Sequence, residues 1–267
     1  MTDAADAEIR PRFRALKDSE IDLKGPNDYV TDADKLAEIF LTRRLREIID
    51  APVVGEEATA LDPTLPDILA DAAAAWVVDP VDGTYHFVHG SQTYAVMVAY
   101  MESGVAIAGW ILHPESGDLY IGVRGEGATL NGSSIAPRIV GDHTSAGRTL
   151  GFLKGAASAR FVDASLRDAL RAGQESIGEA VEPRMCAGWD YADLLTGRTD
   201  YLLFSRTHAW DHAPGAAIVR EAGFAVRRID GSEYMPGVQG APLLTAPIDL
   251  WDDVAAAIAP AFLAERA

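Results

Sequence analysis

Apolar residues recur along this chain with two periods, a helical one at the start and a strand-like one towards the middle. From Asp34 to about Ile49 the positions Leu36, Ile39, Phe40, Leu45 and Ile48 keep a helical period, with Thr31 or Asp32 placed as a cap. Residues 5–20 mix Ala, Glu, Arg and Leu and predict an amphipathic helix, while the turn formers of 24–31 predict a loop. Trp76, Val77 and Val78 suit a buried strand that Pro80 and Gly83 end in a tight turn, and 62–71, broken twice by proline, predicts a loop or short helix. Three or four strands follow at about 92–101, 104–112, 118–123 and 126–130, separated by Ser103-Gly104, Pro114–Gly117 and Gly125; Asn131-Gly132 gives a further hairpin-type turn. Past a polar, Gly-rich link near 137–148, strands at about 148–153, 180–185, 200–205, 224–228 and 242–246 alternate with helices at about 159–171, 187–196, 212–222 and 250–262. That order predicts a sheet flanked by helices, in an α+β chain of two halves, 1–140 and 141–267.

Composition narrows the classes. With 267 residues and 48% hydrophobic content the chain can bury a large core. Nothing approaches an eighteen-residue apolar run and residues 1–30 lack a signal-peptide pattern, so a soluble cytoplasmic protein without membrane partners is expected. Cys186 is alone, which excludes an internal disulfide and a multi-cysteine zinc site; a small buried apolar role is expected for it. A net charge of −17 argues against nucleic-acid polymers and anionic membranes.

Chemistry concentrates in three acidic turns. The run from Trp76 ends in Asp79 and Asp82, three residues apart around Pro80, with Gly83 and Thr84 next. Pro52, Val53 and Val54 lead through Gly55 to Glu56 and Glu57, and Ala209-Trp210 leads to Asp211 at the head of a helical pattern. Rigid carboxylates at the ends of apolar runs suit hard divalent cations, since Mg²⁺ prefers oxygen ligands about 2 Å away in a near-octahedral shell. Such cations would also let a strongly acidic protein accept an anionic ester. His86, His89, His208 and His212 do not form a recognised zinc set, and structural roles are expected for them. Asp211 is also a plausible helix cap, and Glu57 reads as a solvated neighbour or hydrogen-bond partner.

Taken together, G-E-E, then W-x-x-D-P-x-D-G-T, then W-D before an alanine- and glycine-rich helix, the pattern resembles the inositol monophosphatase-like family of Mg²⁺-dependent, lithium-sensitive sugar phosphatases, over nearly the whole chain. The resemblance implies a layered α/β/α/β/α fold of mixed and antiparallel sheets, a homodimer, and hydrolysis of a small polyol or sugar phosphate. Inositol-1-phosphate leads; histidinol phosphate, fructose 1,6-bisphosphate and 3′-phosphoadenosine 5′-phosphate are the alternatives. Two or three Mg²⁺ ions, inhibition by Li⁺ and substitution by Mn²⁺ are implied as well. So are roles: Glu56, Asp79 and the Val81 carbonyl at a first metal, Asp79 bridging, Asp82 and Asp211 at a second, Thr84 working with Glu56 on the attacking water, and Gly83 and Thr84 receiving the phosphate. Lys24 and Asp34 resemble the family's lysine and its further acid near the metals.

Departures from the family pattern bear on the substrate. Tyr85 and His86 change size and polarity near the phosphate entrance, and Phe204 stands seven positions before Asp211, where many inositol-type members carry an acid. A usually small stretch reads Arg184-Met185-Cys186-Ala187-Gly188-Trp189-Asp190. Asp190 is a candidate acceptor of substrate hydroxyls, Trp189 a candidate stacking platform and Arg206 a candidate for a second phosphate; together with Gly83, Thr84 and Asp211 these are the expected substrate contacts. A metal-binding regulatory protein without turnover is the non-enzymatic alternative.

Overall fold

The structure, a computed structural model, describes residues 1–26, 28–137, 150–158, 162–238 and 240–263. It begins with a helical turn α1 (Thr2–Ala4), a π-helical turn Ala5–Ile9 and a 3-10 turn Arg10–Arg12. The helix expected over 5–20 stops there, because Pro11 brings no N–H to a continuing helix and Arg14 takes a left-handed φ of 58°. The loop expected at 24–31 is instead a hairpin of β1 (Ile21–Gly25) and β2 (Asp28–Thr31), paired antiparallel with an irregularity between Leu23 and Gly25.

Helix α2 (Asp32–Ile48) is capped by Thr31, whose hydroxyl accepts from Ala33 N–H while Asp34 returns a bond from Thr31 N–H. Its buried stripe is Ala33, Ala37, Leu41 and Leu45; Leu36, Ile39 and Ile48, expected to share it, are exposed. Small alanines at a four-residue spacing let the helix lie close on the sheet, and the larger side chains turn outward.

A seven-stranded sheet runs in the order β3 (Val53–Gly55), β4 (Ala74–Asp82), β5 (Ala95–Glu102), β6 (Val105–His113), β7 (Asp118–Val123), β8 (Gly127–Leu130) and β9 (Ser133–Ile135). β3 and β4 are parallel; the rest is an antiparallel meander joined by the short turns the sequence predicts, with β9 as an additional strand. Between its strands the chain forms α3 (Glu56–Leu61), a 3-10 turn Leu65–Asp67 with α4 (Ile68–Asp71), and α5 (Thr84–Val88).

The second half builds a five-stranded mixed sheet from β10 (Leu153–Ser158), β11 (Gly178–Val181), β12 (Tyr201–Phe204), β13 (Phe224–Arg228) and β14 (Leu243–Pro247), in the order β11-β10-β12-β14-β13. α6 (Ala164–Ile177), α7 (Ala187–Thr196), α8 (Ala209–Glu221) and α9 (Trp251–Leu263) complete it. The strand expected at 148–153 lies later. Leu150 and Phe152 are exposed, while Lys154–Ser158, with Gly155, Ala156 and Ala157 at its centre, is held as a strand by parallel partners on both sides. Burial between two strands overrides the weak strand preference of glycine and alanine. The expected link at 137–148 lies, from 138 on, outside the described residues, as does the boundary placed at 140.

Five layers result. Ala37, Leu41 and Leu45 of α2 pack on Trp76, Val78, Val96 and Val98 at the outer face of the larger sheet. α7 and α8 lie between the sheets, where Tyr191, Ala216 and Ile218 share one core with Met97, Ile111 and Tyr120 on one side and Leu202, Phe224 and Leu243 on the other. α6 and α9 cover the far face of the smaller sheet through Leu166, Leu170, Val254 and Ile258. β4 is therefore enclosed on both faces, which explains its unbroken apolar run. A Cβ on Gly109 would fall 2.2 Å from the Pro214 carbonyl oxygen, and one on Gly122 2.4 Å from Ile218 Cα. These bare positions on β6 and β7 let α8 settle directly on the sheet, and that contact sets the height of Asp211 in the first turn of α8.

Candidate active site

The end of β4, the starts of α3, α5, α7 and α8, and the β1–β2 hairpin surround a cavity of about 380 Å³. At its base Asp79, Asp82 and Asp211 each bring a carboxylate oxygen within 4.8 Å of the others. A regular strand would point residues three apart to opposite faces. β4 avoids this with a bulge, since Asp79 pairs with Met97 but Asp82 with Ala95, so one extra residue is absorbed between them. The strand thus passes through Pro80 instead of ending there, and both carboxylates reach one cavity. Gly83 follows with φ +85°, where a Cβ would also lie 2.9 Å from the Thr93 carbonyl, and α5 starts at once.

The acids are held by backbone. Asp79 Oδ1 accepts from Val81 N–H at 3.0 Å, and Asp82 Oδ2 accepts from Gly188 N–H at 2.6 Å with the Cys186 thiol 3.0 Å away. Asp211 is in hydrogen-bonding contact with Asp79. Burial, followed by the charges of Glu56, Asp82 and Asp211, pushes the Asp79 carboxyl well above its ordinary range. Asp211 is driven the same way by burial, Asp82 and Glu56. Burial also raises Asp82, against the opposing bonds from Cys186 and Gly188. Such a cluster must take up either protons or cations. Its all-oxygen, hard donor set fits Mg²⁺, and the cavity around it leaves room for further ligands.

Glu56 lines the same cavity but lies outside the three-carboxylate group. Its Oε1 is 2.8 Å from Lys24 Nζ, which also reaches Glu57 Oε1 at 2.8 Å. Burial opposes the lysine's charge, yet Glu56 and Glu57 hold its ammonium above the ordinary lysine range. The start of α3 is fixed from α2: Glu38, itself buried, accepts from the N–H groups of Glu57 and Ala58 at 2.8 Å each.

Thr84 Oγ1 sits 3.1 Å from Asp34 Oδ1 and 3.0 Å from the Val81 carbonyl oxygen. Among the described residues its carboxylate partner is Asp34. Asp34 is fully buried, and burial raises its pKa to about 7 against the bonds from Thr31. Asp34 is thus both the acid that completes the cap of α2 and a neighbour of the Thr84 hydroxyl.

Of the expected substrate contacts, Gly83, Thr84, Asp190, Arg206 and Asp211 line the cavity and Trp189 does not. Trp189 stacks on His113 at 4.1 Å between ring centres and donates its indole N–H to the Tyr94 carbonyl, so it packs the interior next to the site. Asp190 is buried and accepts from Arg184 N–H at 2.7 Å, with its pKa raised to about 7 chiefly by burial. Arg206 is exposed, its guanidinium 2.9 Å from the His208 ring. His86 joins the two walls through a 2.9 Å bond to the Arg184 carbonyl; His212, against Tyr191 and the Arg206 carbonyl, is a neutral buried residue.

The arrangement has known counterparts. The model of the inositol monophosphatase family matches residues 2–261. The chain belongs to the inositol monophosphatase family. An inositol-1-monophosphatase of Mesorhizobium japonicum is 32% identical over 230 residues, 84% of this chain and 80% of that one. A putative Nus factor SuhB of Neisseria meningitidis serogroup B is also 32% identical, over 79% of this chain and 78% of its own. In fold the chain is similar to the extragenic suppressor protein suhB of Bartonella henselae, with TM-score 0.78, 24% identity and coverage of 96% and 94%. A Thermotoga maritima IMPase gives TM-score 0.77 at 21% identity, covering 98% and 94%. Family and acid cluster together make this protein a Mg²⁺-dependent phosphomonoesterase acting on a small phosphate ester.

Sequence reasoning passed over Ser158, Met185, Glu38 and the Asp34–Thr84 bond. Ser158 and Glu38 carry no local signal, as each reaches the site across a sheet or between helices. Met185 has a signal only in the structure: it lines the cavity, 43% exposed, with φ +60°. Left-handed backbone disfavours a non-glycine residue by about 1–2 kcal/mol.

Proposed function

We propose that this phosphatase hydrolyses the monoester of a small polyol, with inositol-1-phosphate foremost, and that Glu56, Asp79, the Val81 carbonyl, Asp82 and Asp211 hold two Mg²⁺ ions, with a third near Asp34. The observation that carries this reading is the meeting of buried Asp79 and Asp82 with partly buried Asp211, from two distant segments, in one group. Bound Mg²⁺ would supply a Lewis acid for the phosphate oxygens and lower the pKa of a coordinated water.

The chain's own residues do the rest. Asp34 accepts a hydrogen bond from the Thr84 hydroxyl, whose oxygen then accepts one from a water and aims it at phosphorus. Glu56, released from Lys24, takes its place beside the same water. Gly83 and Thr84, at the start of α5, line the cavity, and the N–H groups there offer donors to the phosphate oxygens. Asp190, Ser158 and Arg206 bind the organic part. Asp211, in the first turn of α8, is favoured as an anion by the helix N-terminus.

Turnover of inositol-1-phosphate, histidinol phosphate, fructose 1,6-bisphosphate and 3′-phosphoadenosine 5′-phosphate, measured side by side with Mg²⁺ and with EDTA, tests the assignment. Highest kcat/KM on inositol-1-phosphate, inhibition by Li⁺ and partial support by Mn²⁺ are expected; preference for another ester moves the substrate. A second reading takes its support from the relatives named Nus factor SuhB, one of which matches at the same 32% identity. In that reading the chain serves as such a factor in addition to hydrolysing a small phosphate ester. A cytoplasmic homodimer completes the proposal, and light scattering at micromolar concentration checks the dimer; among the described residues no helix is long and apolar enough to cross a membrane.

A further inference from the structure

We infer that Met185 is a specificity-determining residue, whose thioether packs against an apolar or flat face of the leaving group. This rests on the phosphomonoesterase reading of the same cavity. Among the described residues, Met185 is the only left-handed non-glycine residue that lines the cavity; Arg14, Ser103 and Asn131 lie elsewhere.

Its backbone is fixed on both sides by groups that serve the acids. Arg184 N–H donates to Asp190 Oδ1 at 2.7 Å, and the Arg184 carbonyl bonds His86 Nε2 at 2.9 Å. The Cys186 thiol and Gly188 N–H hold Asp82 Oδ2 at 3.0 and 2.6 Å, and Asp190 N–H donates to the Cys186 carbonyl at 2.9 Å. The chain must therefore pass position 185 in a conformation that glycine adopts freely. A methionine there is strained, and the strain gains no core packing, because the side chain is 43% exposed.

What the side chain does face is the cavity. The cavity lining also includes Phe204, buried beside Tyr191 and His212, and Trp210, stacked on His208 with ring centres 4.8 Å apart. Tyr85, 45% exposed, stands on α5. Asp190 and Ser158 add polar acceptors to the cavity. A flexible, polarizable thioether accepts flat or apolar surface, the C–H face of a polyol ring included. The leaving group read by this wall is therefore one with hydroxyls on one edge and an apolar face on the other.

The test compares the wild type with Met185→Gly and Met185→Leu on p-nitrophenyl phosphate, which has a flat leaving group, and glycerol 2-phosphate, which is small and hydroxylated, both with Mg²⁺. Met185→Gly is expected to raise KM for the aryl ester about fivefold to tenfold, in line with the loss of one apolar contact, and to leave KM for glycerol 2-phosphate within about twofold. Met185→Leu is expected to keep most of the aryl KM, and the melting temperature of Met185→Gly to stay level or rise. Equal change on both esters, no change on either, or a loss of kcat shared by both overturns the inference and makes Met185 a support for the Asp82 loop. A wild type that hydrolyses neither ester instead overturns the phosphatase reading on which it rests.

Discussion

The two sides of the cavity are built on different terms. On one, Asp79 and Asp82 leave a strand enclosed on both faces, each with an oxygen held by a backbone N–H, and Asp211 sits on a helix pressed onto glycines of the same sheet. On the other, Met185, Arg206 and His208 line the wall with side chains that are open or only partly covered, and none of them ends a buried strand. The first side fits a reaction common to all phosphate monoesters. The second offers open side chains to the organic part of an ester. Chemistry is placed where packing leaves no freedom, and selectivity where it leaves some.

Breaking the rigid side should have the largest effect. Asp79→Asn removes the carboxylate central to the cluster, and kcat is expected to fall about a thousandfold or more on every ester tried; steady-state kinetics at saturating Mg²⁺ checks this, and a loss confined to one substrate would erase the distinction between the sides. Thr84→Ala leaves the Asp34 carboxylate without the hydroxyl and is expected to lower kcat about a hundredfold with Mg²⁺ binding intact, as calorimetry would read. Wild-type turnover in that variant would remove Thr84 from the reaction.

The pH dependence of stability sharpens the same comparison. Asp34 and Asp190 have pKa values raised to about 7 and Glu57 to about 8, each chiefly by burial. Between pH 6.5 and 8 the unfolded chain has already lost these protons while the folded one still binds them. Stability is therefore lost as pH rises through the folded values. His113 and His212, lowered by burial to about 4 and about 3, act in the opposite sense but only below their unfolded value near 6.5. In EDTA the melting temperature should fall by several degrees from pH 6.5 to 8, and Mg²⁺ should flatten that slope; differential scanning fluorimetry reads both, and a melting temperature rising with pH in EDTA would count against the buried acids. On the open side, Arg206→Ala is expected to raise KM only about threefold for a monoester, with kcat unchanged. A far larger rise for a bisphosphate would assign Arg206 to a second phosphate.

Much of this was legible in the chain. The apolar approach to each acid, the turn glycines and the order of strands and helices gave the meander, the interlayer helices and the family, because burial and turn chemistry are local and leave a periodic trace. The sequence also named the three acids of the cluster, with Glu56 as a fourth that lies outside it, because three acidic turns with apolar approaches point together to a site where one alone does not. It did not show the hairpin at 21–31, whose strands pair across two turn-forming residues, nor the face that α2 buries, where small alanines displaced the larger side chains.

What the sequence determined alone is the set of donors: oxygen-rich, acidic, preceded by strands, and fit for a hard cation. Only the tertiary structure decided how they meet. A one-residue bulge turned Asp79 and Asp82 to the same side, two bare glycines set the height of Asp211, and Thr84 found Asp34 across 50 residues of chain. It also took Trp189 out of the cavity and put a strained Met185 into it. These outcomes depend on register and on distance between remote segments, and neither quantity is encoded in the composition of any single stretch.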